Sequence, residues 1–180
     1  MDSTLFSPNS LRTMFHGIVL SGGALVGLAI ALFSLLVMRR TGTDDRMSER
    51  HSRALAGVLM TTAAVLWLVV ISGTYVIFPP YRATPPAGTT SLDAYPRALL
   101  LANPNTAWLH SFAMESKEHM PWIAAMLTTA AAFAGVRHRA TLLADASLRQ
   151  MVTVLIAISF ALASFIGLLG IFVNKAAPLQ

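Results

Sequence analysis

Cysteine is absent from the 180-residue chain. That excludes disulfides, thiolate metal sites and covalent attachment of haem through a CxxCH motif. Charge is scarce as well. Only 12% of positions are Asp, Glu, Lys or Arg, against about 25% in an ordinary soluble domain. There is no phosphate-binding glycine loop, no HExxH zinc motif and no nucleophile–base constellation, so hydrolytic chemistry has no support. Internal repeats and low-complexity tracts are missing too.

Apolar length is what the chain has instead. Hydrophobic residues make up 55% of it, gathered into four runs: His16–Met38, Ala54–Phe78, Met120–Val136 and Met151–Val173. Each is close to the roughly 20 residues that carry a helix across a bilayer core. The expected fold class is an all-α membrane protein, a four-helix transmembrane bundle forming one domain over residues 1–180. The first run exceeds a signal-peptide core and ends in Arg39–Arg40, not in a small-residue cleavage site, which makes it a retained span. The net charge of +5 belongs to topology and not to nucleic acid, because most of the excess lies beside the spans.

The loop Arg39–Arg53 holds Arg39, Arg40, Arg46, Arg50 and Arg53, and the loop after the third span holds Arg137, Arg139 and Arg149. The other side carries Arg12, Arg82, Arg97, Lys117 and Lys175. The positive-inside rule therefore predicts cytoplasmic first and third loops and external termini, in a bacterial inner membrane with periplasmic ends. The external loop, 79–105, is rich in proline, with a short interfacial helix expected over Leu92–Ala102. From about Thr106 the chain reads as helical. The third helix is thus expected to extend beyond the membrane, with a polar outer stretch 106–119 and Pro121 either starting the span or kinking it. Small residues at intervals of four (Gly23, Gly27, Ala31; Ser159, Ala163, Gly167) predict close helix packing.

Five histidines carry most of the potential chemistry. His51 and His138 map to cytoplasmic helix ends among arginines and read as solvated. His16, His110 and His119 map to the external side. Glu115 precedes His119 by one turn, where its carboxylate can orient the imidazole, and Trp122 continues that face. His16 opens the first span above Gly23 and Gly27, a stripe without side chains along which a porphyrin edge can lie. Imidazoles from two helices are a usual axial pair for haem b, so His16 and His119 are the candidate iron ligands, with His110 as the alternative. Tyr75, Tyr81 and Arg82, at the end of the second span, can bond a haem propionate or a quinone carbonyl, or anchor the helix at the interface.

With these residues in place the chain resembles small four-helix membrane cytochrome b subunits. The segments GTYVIFPPYR (73–82) and MESKEHMPW (114–122) also resemble a pattern in uncharacterised bacterial membrane proteins. The cytochrome resemblance implies a haem-b subunit passing electrons near the external face, with quinone as a second candidate cofactor, within a larger complex or toward a periplasmic carrier. It covers the architecture and two or three histidines. Two other functions stay open. One is copper handling by Met14, His16, Met114, His119 and Met120, a soft ligand set suited to Cu(I). The other is a cofactor-free accessory or assembly subunit.

Overall fold

The computed structural model describes residues 6–38, 45–142 and 144–179, with the side chains of 38 and 45–48 excepted. Arg39–Arg40, and the side chain of Arg46, on which the orientation reading partly rests, lie outside the described residues and side chains. The described residues are helical throughout their ordered elements, with no strand among them.

Four helices are long and apolar enough to span a membrane: α1 Pro8–Val37, α2 Glu49–Tyr81, α4 Leu109–Arg137 and α5 Ala146–Ala176. A short helix, α3 (Pro96–Ala102), precedes α4, within the interval 92–102 read from sequence but four residues shorter at its start. At 1.5 Å per residue these spans of 29–33 residues are about 44–50 Å long, against a hydrocarbon core of about 30 Å. All of them project beyond the core, including α2, which runs past Phe78 to Tyr81. Pro121 lies inside α4, so it interrupts a continuous helix and leaves the Lys117 carbonyl without its usual donor.

Neighbouring helices pack in a ring, α1 on α2, α2 on α4, α4 on α5 and α5 on α1. Helices α1 and α4 thus face each other diagonally across the axis. Size segregates from the inside outward. The interior uses Ala24, Ala31, Ala125, Ala131 and Ala132 around Leu28, Leu59 and Ile156, while Ile18, Phe33, Phe133 and Ile171 are 64–68% exposed. Water would not tolerate such a perimeter, whereas lipid does, and small interior residues let backbones approach. At Gly27 an added Cβ would lie 3.2 Å from Thr62 Cβ and Cγ2 and closer still to its hydroxyl. Between α4 and α5, the Ser159 hydroxyl, whose nearer acceptor is the Leu155 carbonyl of its own helix at 2.9 Å, also lies 3.3 Å from the Ala124 carbonyl. The expected small-residue contacts are therefore present at Gly27, Ala31 and Ser159. Gly23 is different: nothing lies within 4 Å of a Cβ built there.

Three helices widen into π-turns near the end that carries both termini and the proline-rich connection: Phe15–Ser21, Gly73–Ile77 and Leu109–Met114. The second has a local cause. Pro79 and Pro80 remove two backbone donors and crowd the carbonyls one turn back, and a wider turn relieves that crowding. Such π-turns are frequent at functional sites.

Candidate functional site

The polar groups of the bundle gather at this proline-rich end in two tiers. The outer tier is centred on Tyr81, 3% exposed, whose hydroxyl lies 2.9 Å from His110 Nδ1. Their rings are 6.0 Å apart. Tyr81 belongs with Leu100, Leu109, Met114, Leu169 and Val173 to an apolar cluster separate from the main core, and His110 is partly buried beside it. The charges of Arg97, Glu118, Arg82 and Glu115 all act on both Tyr81 and His110. Two of these groups are incompletely satisfied: Arg97 Nε and Glu118 Oε1 are buried without a hydrogen-bond partner among the described residues. No ion pair joins them there. A buried donor and a buried acceptor of opposite charge, left open beside a Tyr–His pair, form a place for a ligand offering both an acceptor and a donor.

The inner tier draws on all four spanning helices. His16 of α1 places Nδ1 2.9 Å from Ser72 Oγ of α2. The Ser72 hydroxyl proton is directed to the Leu68 carbonyl at 2.6 Å, so Ser72 accepts from His16 Nδ1–H and the lone pair sits on Nε2. Gly73 makes room for this ring, since a Cβ there would stand 3.2 Å from His16 Cε1. From the diagonal helix α4, Lys117 reaches the same region. A Cβ at Gly170 of α5 would stand 3.3 Å from Lys117 Nζ, and the Lys117 charge acts on His16.

The remaining candidates distribute as follows. His119 is exposed, and its Nδ1–H donates to the Glu115 backbone carbonyl at 2.8 Å. The Glu115 side chain, expected to orient this ring, does not do so. It is exposed, and the helix's own geometry supplies the acceptor. Trp122 sets its ring edge-on against Trp67, 5.8 Å away. Arg82 stacks over Phe78 at 4.7 Å, and Tyr75 is 72% exposed, a position suited to interfacial anchoring. Gly23 lies with Gly27, Gly57 and Thr61 in an outward groove between α1 and α2. His51 and His138 are exposed at the opposite end.

A haem between His16 and His119 can be tested against this arrangement. Each ring has its Nδ1 engaged and Nε2 available, the usual preparation of a metal ligand. However, Lys117 and His119 are two residues apart, about 200° around the helix. Lys117 Nζ packs against Gly170 of α5, so His119 points away from that neighbour. His16 is set against Ser72 and Gly73 of α2, whereas His119 is exposed on α4. Among the described residues no group of three or more His, Cys, Asp or Glu side chains is placed to hold a metal ion.

Sequence reasoning missed Ser72, Arg97, Lys117 and Glu118. The available signals were weak: a Ser–Gly pair in an apolar run, an Arg following Pro96, and adjacent opposite charges within a span. No family model, curated protein or solved structure matches the chain.

Proposed function

We propose that this multi-pass membrane protein binds a quinol head group at its proline-rich end and exchanges protons and electrons with it. The observation that carries this reading is the pair of open buried groups, Arg97 Nε and Glu118 Oε1, whose charges act on the hydrogen-bonded Tyr81 and His110. A quinoid ring offers oxygens that accept from Arg97 and, when reduced, hydroxyls that donate to Glu118 or His110. On oxidation both quinol O–H bonds break, one proton passing to the Glu118 carboxylate and the other to His110, while the two electrons leave one at a time to a one-electron redox centre of a partner subunit. Basic residues in the short connections favour an orientation with this end facing the periplasm of a bacterial inner membrane.

Titration of decylubiquinol, kept reduced under anaerobic conditions, into protein-loaded nanodiscs, read by quenching of tryptophan fluorescence, tests the proposal. Saturable quenching is expected, with affinity reduced about tenfold or more in Glu118→Gln and His110→Asn, the loss of about 1.4 kcal/mol from one hydrogen bond to a charged or well-oriented partner. Non-saturable quenching, or equal affinity in both variants, refutes it.

The haem-b reading keeps one specific observation in its favour: His119 has its Nδ1 anchored and its Nε2 exposed on the outer surface of α4. On that reading the second axial ligand comes from a partner subunit, not from His16. Haem would supply one-electron transfer, and this chain would supply the oriented imidazole. A Soret band in the purified complex that is lost in His119→Ala would favour it.

A further inference from the structure

Two glycines within the spans are not required by the packing of the bundle itself. Gly23 of α1 and Gly57 of α2 are exposed, and nothing lies within 4 Å of a Cβ built at either. Alanine would fit both positions and favours a helix more than glycine does. With Val26, Ile30, Thr61 and Thr62 these glycines line a groove of about 390 Å³ between the two helices. Thr62 sets its hydroxyl over Gly27 on the groove floor. This residue is 3% exposed, yet its hydroxyl has no hydrogen-bond partner among the described residues. Thr128, Thr129 and Thr153 differ, each donating to the carbonyl one turn back. Gly27 is eleven residues from both His16 and Met38, about 16 Å from either end of its apolar run. Neither water nor a lipid headgroup supplies an acceptor at that depth. An acyl chain has none to offer, and it accommodates a methyl group as readily as a bare Cα. A second helix gains from the bare Cα, and its backbone carbonyls keep a lone pair for a hydroxyl.

The shape that fills this groove lies beside it on the same surface. Val26 and Ile30, which form its α1 wall, project together with Phe33 as a ridge, 59, 47 and 68% exposed. A ridge next to a groove is self-complementary under a twofold rotation, because each copy offers what the other lacks. With the axis along the membrane normal, both copies keep the same orientation in the bilayer. We propose that the α1–α2 face joins two copies of this chain. Val26 and Ile30 of each copy sit over Gly23 and Gly57 of the other, and each Thr62 hydroxyl donates to a backbone carbonyl of the facing α1. This face carries none of the groups of the quinol site.

The chain has no cysteine, so Thr90→Cys, at an exposed position of the proline-rich connection, accepts a single dye. Donor- and acceptor-labelled protein is reconstituted together in phosphatidylcholine liposomes, and energy transfer is followed as lipid is added. A reversible loss of transfer on dilution is expected. Its dissociation constant should rise about tenfold or more in Gly23→Leu and in Gly57→Leu, whose side chains fill the groove. Thr62→Val keeps the branched shape and removes the donor, and should raise it about threefold. Ile30→Ala, which lowers the ridge, should also weaken the dimer, while Ile171→Ala on the exposed face of α5 should not. Transfer no greater than random proximity at every protein-to-lipid ratio overturns the proposal, whether lipid or another protein's helix fills the groove. So does a constant unchanged in both leucine variants. Circular dichroism reports whether those variants fold. Should they fail, Ile30→Ala and Thr62→Val decide: weakening in both supports the interface, and a wild-type constant in either refutes it.

Discussion

Replacing Gly27 by alanine tests whether the bundle is held together by backbone approach between α1 and α2. A methyl group at this position would overlap the Thr62 hydroxyl and stand 3.2 Å from both Thr62 Cβ and Cγ2. Thr62 is buried and branched at Cβ, so rotating χ1 only exchanges one overlapping atom for another. The helices must separate or the side chain must leave its rotamer. Overpacking of this kind costs about 1–3 kcal/mol, less the roughly 0.5–1 kcal/mol that alanine gains over glycine in a helix. Because the methyl group overlaps the Thr62 hydroxyl outright, the cost falls in the upper half of that range, about 2–3 kcal/mol, and a net loss of about 1–2.5 kcal/mol is expected. Gly23→Ala, one turn away, meets nothing within 4 Å and should be neutral or stabilising by up to about 1 kcal/mol. Unfolding in mixed detergent micelles, followed by circular dichroism against the mole fraction of denaturing detergent, measures both. Thr62→Ala in the Gly27→Ala background should recover at least half the loss, since the clash is pairwise. If Gly27→Ala lies within about 0.5 kcal/mol of the wild type, or if the double variant is no better than the sum of the singles, the packing argument fails.

Three further outcomes follow from the same geometry. Tyr81→Phe should lower stability by about 0.5–1.5 kcal/mol through loss of the bond to His110, and should raise the quinol Kd in the fluorescence titration. Ser159→Ala removes a hydroxyl shared between the Leu155 carbonyl of α5 at 2.9 Å and the Ala124 carbonyl of α4 at 3.3 Å. Interhelical bonds of this type average about 0.6 kcal/mol in membranes, so a loss well above 1.7 kcal/mol in the detergent assay would contradict this assignment. Asp145 accepts from the Ser147 and Leu148 amides at 2.9 and 3.0 Å and caps the start of α5. Asp145→Ala should cost about 1 kcal/mol, visible as faster amide exchange over residues 146–150 with the rest of the helix unchanged.

A single variable, the free energy of moving each segment from water into lipid, is additive along the chain. That is why the amino-acid sequence alone determined the four spans, their approximate limits and the crowding of polar residues toward one end. Runs such as Met151–Val173 need no partner to declare themselves, and Pro79–Pro80 announce the end of α2 within a few residues. Which side chains meet is a different quantity, fixed by the rotation of each helix about its axis. Period and spacing put Glu115 and His119 on one face, yet they could not say that this face points outward while Lys117, two residues away, points to the axis. The rotation of α4 is decided by close contacts of small residues with its neighbours, among them Ala124 against Ser159 and Gly135 against Leu59, none of which carries any of the chemistry. The same packing sets His16 against Ser72 and buries Arg97 Nε and Glu118 Oε1 without a hydrogen-bond partner among the described residues. The polar residues at the proline-rich end were therefore legible as a group from sequence, and only the tertiary packing sorted them into an axial Lys–His tier and an outer Tyr–His tier.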